Sequence, residues 1–113
     1  MRREHEGLQL RIFVHESLRH EHVPLYAAIV SLAHREGLAG AVVFRCIEGF
    51  GQHRHLHTSR LVEVSDDLPI IVEVVDRADA IRNFVLTLEA LIPHGTATLS
   101  PVRLIHYRRG QGA

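Results

Sequence analysis

The sequence predicts an α+β protein of the ferredoxin-like class, a β-α-β-β-α-β sandwich in which a four-stranded antiparallel sheet carries two helices on one face. Two observations predict this fold. Short β-branched stretches that alternate in polarity are separated by two longer stretches in which apolar residues recur at helical spacing. The 113 residues, of which 46% are hydrophobic and 23% charged, have the size and composition of one globular domain spanning 1–113.

The first strand and the first helix differ in their hydrophobic period. Residues 8–15, LQLRIFVH, alternate between apolar positions on one face and mostly polar positions on the other, which is typical of a strand. Residues 24–36 predict a helix, because Pro24 suits a first helical turn and Gly37 suits a C-terminal cap.

The second half of the chain repeats this arrangement. Residues 41–48, AVVFRCIE, predict the second strand, and residues 68–75, LPIIVEVV, predict a third strand that is apolar on both faces. Asp76 is expected to cap a second helix that runs to about Ile92. Residues 96–107 then predict the last strand.

The last strand and the uncovered sheet face bear on assembly. Pro101 is expected to interrupt the last strand, which would then be an edge strand or carry a bulge there, since proline cannot donate to a ladder. The uncovered face would carry Phe13 and one of two apolar sets from the third strand, either Ile71 and Val75 or Ile70, Val72 and Val74. Because an exposed apolar sheet face marks an interface, we expect an oligomer in which these faces meet.

Composition argues against several classes of function. Lys+Arg and Asp+Glu number 13 each, so no global field attracts nucleic acid, and the third strand lacks the aromatic residues of an RNA-binding sheet. No apolar run approaches the roughly 18 residues of a membrane span, and MRREHEGLQL lacks the apolar stretch of a signal peptide. We therefore expect a cytoplasmic protein without membrane insertion. Cys46, the only cysteine, fits a reducing compartment and predicts a buried structural thiol.

Catalysis has little support in the sequence. The chain contains no nucleophile elbow, no HExxH and no Walker loop, so we expect no enzymatic activity. Glu48 and Glu73 are strand carboxylates that could form a pair. We interpret them as ion-pair partners of Arg11 or Arg45 at an oligomer interface.

Four stretches carry a resemblance to a known family. They are ESLRHEHVPLYAAIV (16–30), GLAGAVVFRCIEGFG (37–51), HTSRLVEVSDDLPIIVEVVD (57–76) and TLSPVRLIHY (98–107), which contain EGFG, HTSR and DLP in that order. Together they resemble the DUF190 (UPF0166) family of the PII-like superfamily of trimeric signalling proteins. The resemblance implies a homotrimer with inward-facing sheets, a mobile T-loop at residues 50–67 and no enzymatic activity.

The resemblance also implies a ligand. In PII-like proteins an adenine nucleotide binds in the clefts between subunits, so AMP, ADP, ATP or a cyclic nucleotide is the expected effector. The residues assigned to this site are Gly49, Gly51, His57, Ser59, Arg60, Gly95 and Thr96. The glycines and Thr96 would supply backbone or hydroxyl hydrogen bonds and Arg60 the phosphate charge, and Arg45, Arg103 and Arg108 are further candidates. The loop would regulate a protein partner, for which a membrane transporter or channel is a candidate.

The stretch GQHRHLHTSR (51–60) leaves a metal site open as an alternative. In an extended segment His53, His55 and His57 would lie on one side at successive spacings of about 6.5–7 Å, so neighbours could share a zinc ion. All three on one straight strand could hardly reach the same ion. Only His57 matches the family pattern. The alternative is therefore a trimeric metal-binding or metal-responsive protein, and a solvated or pH-responsive loop is the simplest interpretation.

Overall fold

A computed structural model of the chain describes residues 2–49, 57–58 and 68–109. Its elements are β1 (Arg2–His15), β2 (Arg19–His20), β3 (Val23–Pro24), α1 (Leu25–Arg35), β4 (Gly40–Arg45), β5 (Glu48–Gly49), β6 (His57–Thr58), β7 (Pro69–Asp76), α2 (Ala78–Leu88) and β8 (Thr96–Tyr107). Strands β4, β7, β1 and β8 form one sheet in that order, and every paired neighbour in it is antiparallel. The predicted ferredoxin-like fold is confirmed. Within the described ranges, neither helix is long and apolar enough to cross a membrane.

The core lies between the two helices and one face of the sheet. Leu10 and Ile12 of β1 pair with Val74 and Val72 of β7, and all four side chains are at most 1% exposed. Both helices bury their apolar stripes against these strands, namely Leu25, Ile29 and Ala33 of α1 and Ile81, Phe84 and Leu88 of α2. Burying one large apolar side chain contributes about 1.5–3 kcal/mol, so this layer is the main source of stability.

The other face of the sheet, which we call the open face, carries exposed apolar side chains. Phe13 is 37% exposed and Phe44 is 48% exposed, and each pairs with Ile71 of β7 from opposite sides. Val75 lies on the same face four residues further along β7. The first of the two predicted apolar sets, Ile71 and Val75, is therefore the one on the open face.

A single ion pair lies among these apolar side chains in the described part of the open face. Nε of Arg11 donates to a carboxylate oxygen of Glu73 across 2.9 Å, and the two residues are Cα partners in the β1–β7 ladder. The interpretation of Glu73 as an ion-pair partner of Arg11 is confirmed. Glu73 has only 19% of its side chain exposed, so the pair is partly shielded from water even in the single chain.

The observed ends of the two helices agree only in part with those predicted from the sequence. Gly37, at a φ of +73°, ends α1 as predicted. Asp76 does not cap α2. It is the last residue of β7, and its carboxylate accepts hydrogen bonds from the N–H groups of Ala39 (3.0 Å) and Arg77 (2.6 Å). The helix ends at Leu88, four residues before the expected end, because the following residues tighten into a turn.

Strand β8 lies at a sheet edge, as Pro101 predicted, but it is not interrupted there. Its register with β1 runs unbroken through the pairing of Pro101 with Leu8. An edge position tolerates proline because the missing N–H would point away from the neighbouring strand.

Strand β1 begins six residues before its predicted start. Residues 2–7 pair with residues 102–107 beyond the last β7 pairing, that of Leu8 with Asp76, and we call this two-stranded extension the ribbon. At its base, a Cβ on Gly7 would lie 2.5 Å from the carbonyl oxygen of Asp76. Only glycine allows β1 to approach β7 this closely.

Candidate functional site

The assigned nucleotide-site residues that the structure describes lie at one end of the sheet, which we call the loop end. There β1 finishes with the pairing of His15 and Pro69, and β8 begins with the pairing of Thr96 and Phe13. Strand β4 finishes at the same end, because the N–H of Cys46 donates to the carbonyl of Pro69 across 2.9 Å. Strand β5 follows directly.

Two of the assigned residues are brought together by backbone pairing. Gly49 of β5 and His57 of β6 are Cα partners in a short antiparallel ladder, next to the pairing of Glu48 with Thr58. This ladder joins the two ends of the segment that lies between them. The first two residues of EGFG and the first two of HTSR are therefore neighbours in space, which their separation in the sequence did not by itself establish.

The other two described residues, Gly95 and Thr96, lie at the opposite edge of the sheet. In the order β4-β7-β1-β8, two strands separate the strand that leads to Gly49 from the strand that begins at Thr96. Three strand spacings correspond to about 14 Å. Within the chain, the two halves of the assigned site are therefore separated by about the width of the sheet.

Gly95 is a position of close packing. A Cβ added there would lie 3.2 Å from the carbonyl oxygen of Phe13 and 3.4 Å from a methyl carbon of Ile92. Such contacts are tighter than side chains ordinarily make, so glycine lets the turn before β8 lie flat against the end of β1. Thr96, directly after it, is exposed at the loop end.

The arginines predicted as further ligand candidates are divided between the two ends of the sheet. Arg45, at the loop end, binds both carboxylate oxygens of Glu16 at 3.0 and 3.1 Å. The hydrogen bond and charge of Glu16 raise the pKa of Arg45 above its ordinary value, so this arginine stays charged. Arg103 lies instead at the ribbon, 3.4 Å from Glu4, and Arg108 follows the end of β8. Within one subunit, these two are far from Thr96.

The remaining assignments cannot be placed. Gly51, His53, His55, Ser59 and Arg60 lie outside the described residues. Across residues 2–49, 57–58 and 68–109, no group of three or more His, Cys, Asp or Glu side chains is arranged to hold a metal ion. The metal alternative therefore stays a prediction about residues outside that part of the chain.

Cys46 lies just past the end of β4 and is a free, half-buried thiol. Burial raises its pKa, because the thiolate is harder to solvate there than in water. The expectation of a structural rather than a reactive thiol fits this environment.

Sequence analysis missed two features. The first is the β2–β3 hairpin, where Glu21 and His22 both have positive φ without the glycine or asparagine that usually marks such a turn. The second is a pocket of about 740 Å³ at the ribbon. The residues that line it come largely from the charged stretches RREHE (2–6) and HYRR (106–109), whose composition did not by itself indicate a pocket.

Comparison with known proteins identifies the family. The DUF190 family profile (uncharacterized ACR) matches residues 7–104. A UPF0166 protein of Aquifex aeolicus (strain VF5) is 33% identical over 97 residues, which is 86% of this chain and 91% of that protein. The chain belongs to the DUF190 family. A second UPF0166 protein, from Methanocaldococcus jannaschii, is 31% identical over 83 residues, 74% of this chain and 76% of its own.

Solved structures place this DUF190 protein in the PII-like fold. CPII, a nitrogen regulatory PII-like protein from Thiomonas intermedia K12, was solved bound to ADP, AMP and bicarbonate, and that structure matches with a TM-score of 0.60 at 17% identity over 90% of this chain and 91% of CPII. The apo form of CPII matches with a TM-score of 0.63 at 11% identity over 95% of this chain and 100% of CPII. At these identities the likeness establishes the fold.

Proposed function

We propose that this DUF190 protein is a non-enzymatic PII-like signalling protein that binds an adenine nucleotide between the subunits of a homotrimer. The observation that carries the proposal is the division of the described site residues between opposite edges of the sheet at its loop end. A second subunit is what would complete such a site. The bound ADP and AMP of CPII support the choice of ligand.

The open face supports the trimer. It presents Phe13, Phe44 and Ile71 around the Arg11–Glu73 ion pair, and a subunit packed against it would remove these apolar side chains from water. Gel filtration with light scattering should give the mass of three chains. Replacing the most exposed phenylalanine of this face in Phe44→Ser should shift the protein towards single subunits. Leu86→Ser, at an exposed leucine of α2 on the helical side, is the matched control and should leave the mass unchanged.

Each assigned residue has a defined part in this proposal. Gly49, Gly51 and Gly95 let backbone N–H groups approach the nucleotide, and Thr96 adds a hydroxyl. His57 and Ser59 offer polar contacts at the base of the loop. Arg60 supplies the fork of N–H donors that suits a phosphate. The other assigned half, Gly95 and Thr96, would then come from the neighbouring subunit.

Thermal unfolding with ATP, ADP, AMP and cyclic nucleotides tests the ligand. A nucleotide that binds only the folded state raises the free energy of unfolding by about 2.7 kcal/mol at a hundred times its dissociation constant, which is readily measured. Arg60→Ala should lose most of this stabilisation, while Arg82→Ala, an exposed arginine of α2, should keep it. The proposed role of Arg60 is wrong if both variants respond like the native protein.

The same experiment with zinc, with and without a chelator, separates the alternative function. Stabilisation by zinc that disappears in a His53→Ala/His55→Ala variant, together with no response to any nucleotide, would favour the metal-responsive protein. The absence of any response would remove both small ligands from the proposal.

Residues 50–67 are proposed to carry the signal to a protein partner, with a membrane transporter or channel as the candidate class. Nucleotide binding at the base of this segment would change which surface it presents. Limited trypsin digestion offers a direct measurement, because Arg54 and Arg60 are cleavage sites within it. The effective nucleotide should slow cleavage after these two residues, whereas cleavage after Arg109 should be unaffected.

A further inference from the structure

The pocket at the ribbon lies at the other end of the molecule from the proposed nucleotide site. Ten residues of β8 separate Thr96 at the loop end from His106 in the pocket, which corresponds to about 34 Å along an extended strand. The pocket has a volume of about 740 Å³, within the range of small-ligand sites. It therefore calls for a separate explanation.

Basic side chains dominate the pocket. Its lining residues are Arg3, Glu4, His5, Glu6, Arg77, His106, Tyr107 and Arg108. Of its two carboxylates, that of Glu4 already lies 3.5 Å from Arg2 and 3.4 Å from Arg103, neither of which lines the pocket. Nε of Arg77 also lies 3.9 Å from a carboxylate oxygen of the exposed Asp79, which does not line the pocket. The lining thus holds three guanidinium groups against two carboxylates, a positive balance that suits a doubly charged oxyanion.

Two histidines sit face to face in this field. The rings of His5 and His106 are stacked, with centroids 5.3 Å apart and planes inclined by 16°. A positive charge on His5 would be repelled by the arginines that line the pocket. An anion in the pocket is the group that would relieve this repulsion.

The hydrogen bond of His5 fixes which of its nitrogens faces a ligand. Nδ1 of His5 lies 3.2 Å from the carbonyl oxygen of Glu6, and because a carbonyl only accepts, Nδ1 carries the hydrogen. The neutral ring then has a lone pair at Nε2, which repels an anion. A proton taken up from the solvent at Nε2 converts this lone pair into a donor without disturbing the existing hydrogen bond.

We propose that the ribbon pocket binds a small doubly charged oxyanion of the phosphate or sulfate class, with uptake of one proton at Nε2 of His5. Arg3 and Arg77 contribute fixed charge, and His5 makes binding depend on pH. The charged and titratable groups facing His5 are Arg3, Glu4 and Glu6 of β1, His106 and Tyr107 of β8, Arg108 after β8, and Arg77 before α2. None of the others requires a change of protonation for binding.

Sulfate is the appropriate first probe, because it keeps both charges across the relevant pH range, so that any proton taken up belongs to the protein. Isothermal titration calorimetry of the full chain with sodium sulfate, at constant ionic strength, should show binding about tenfold tighter near pH 6 than near pH 8. Repeating the titration in two buffers with different ionisation heats should give about half a proton taken up per sulfate at the midpoint of this change, which is the uptake that a tenfold change in affinity requires of a single titrating group. Equal affinity at both pH values, or no binding at either, would overturn the proposal.

Variants separate the two parts of the proposal. His5→Gln should remove the pH dependence, while His34→Gln, at an exposed histidine of α1, should keep it. Arg3→Gln should weaken sulfate binding by about tenfold or more through loss of a charge-assisted hydrogen bond, and Arg82→Gln should not. Retention of the pH dependence in His5→Gln would refute the assignment of the proton. The affinities for inorganic phosphate and glycerol phosphate are then compared. If the natural ligand is a free anion, inorganic phosphate should bind at least as tightly as glycerol phosphate. If it is the end group of a larger molecule, glycerol phosphate should bind more tightly.

Discussion

Gly7 offers a sharp stability test, because it lies where the ribbon leaves the sheet. In Gly7→Ala the new methyl carbon would lie 2.5 Å from the backbone oxygen of Asp76 and 2.8 Å from Cδ1 of Leu104. The leucine can rotate away, but the carbonyl belongs to β7 at its pairing with Leu8. Relief therefore requires the two strands to separate locally. Overpacking of this kind costs about 1–3 kcal/mol, and we expect the upper half of that range because backbone has to move.

Thermal unfolding should show the destabilisation of Gly7→Ala as a fall in Tm of about 8–12 °C relative to the native protein, for a chain of this size. Gly40→Ala is the matched control, since it is the same substitution in the same sheet and its Cβ would meet only a methyl of Val75 at 3.6 Å. That variant should be neutral or slightly more stable, because alanine reduces the entropy of the unfolded chain. The variants must be compared at equal protein concentration, since association contributes to Tm. If Gly7→Ala and Gly40→Ala unfold together, the close approach of β1 to Asp76 is wrong.

Two further predictions concern the core and the thiol. Phe84 of α2 is fully buried, so Phe84→Ala should lower the free energy of unfolding by about 3–5 kcal/mol in urea, whereas the exposed Leu86→Ala should change it by less than about 0.5 kcal/mol. Because burial raises the pKa of Cys46, less of it is thiolate at any pH below that pKa. Its alkylation by iodoacetamide in the folded protein should thus be slower than in urea and should accelerate only at more alkaline pH. Equal rates in the two states would mean that the thiol is not shielded.

The fold was predictable wherever the hydrophobic period of the sequence matches the burial pattern of the strand or helix. The alternation in LQLRIFVH identified the buried face of β1, and the glycine after α1 marked its end. The third strand was harder, because Ile70 and Ile71 are equally apolar and only the register of neighbouring strands shows which one faces the helices. The prediction that Asp76 caps α2 was wrong. An aspartate before a helix usually caps it, whereas here its carboxylate accepts a hydrogen bond from the N–H of Ala39.

The ribbon and its pocket could not be predicted from the sequence, for a different reason. Residues 2–6, RREHE, are all charged or titratable and none is apolar, so they lack the apolar face by which strands are recognised. They become a strand because β8 is long enough to pair with them. The convergence of Arg77, from the start of α2, on His5 is likewise a product of tertiary structure. The sequence contains EGFG before HTSR, but the spacing between them does not show that Gly49 pairs with His57.

The position of β1 in the sheet has a consequence for how the chain is made and folded. Strand β1 is a central strand, and both of its neighbours, β7 and β8, come much later in the sequence; Arg2 pairs with Tyr107. Nearly the whole sequence must be present before β1 is hydrogen-bonded on both sides. Topologies dominated by such distant pairings fold in milliseconds to seconds rather than microseconds. The apolar segment LQLRIFVH therefore has no sheet partner until β7 has been made, and its second side stays unpaired until β8 follows.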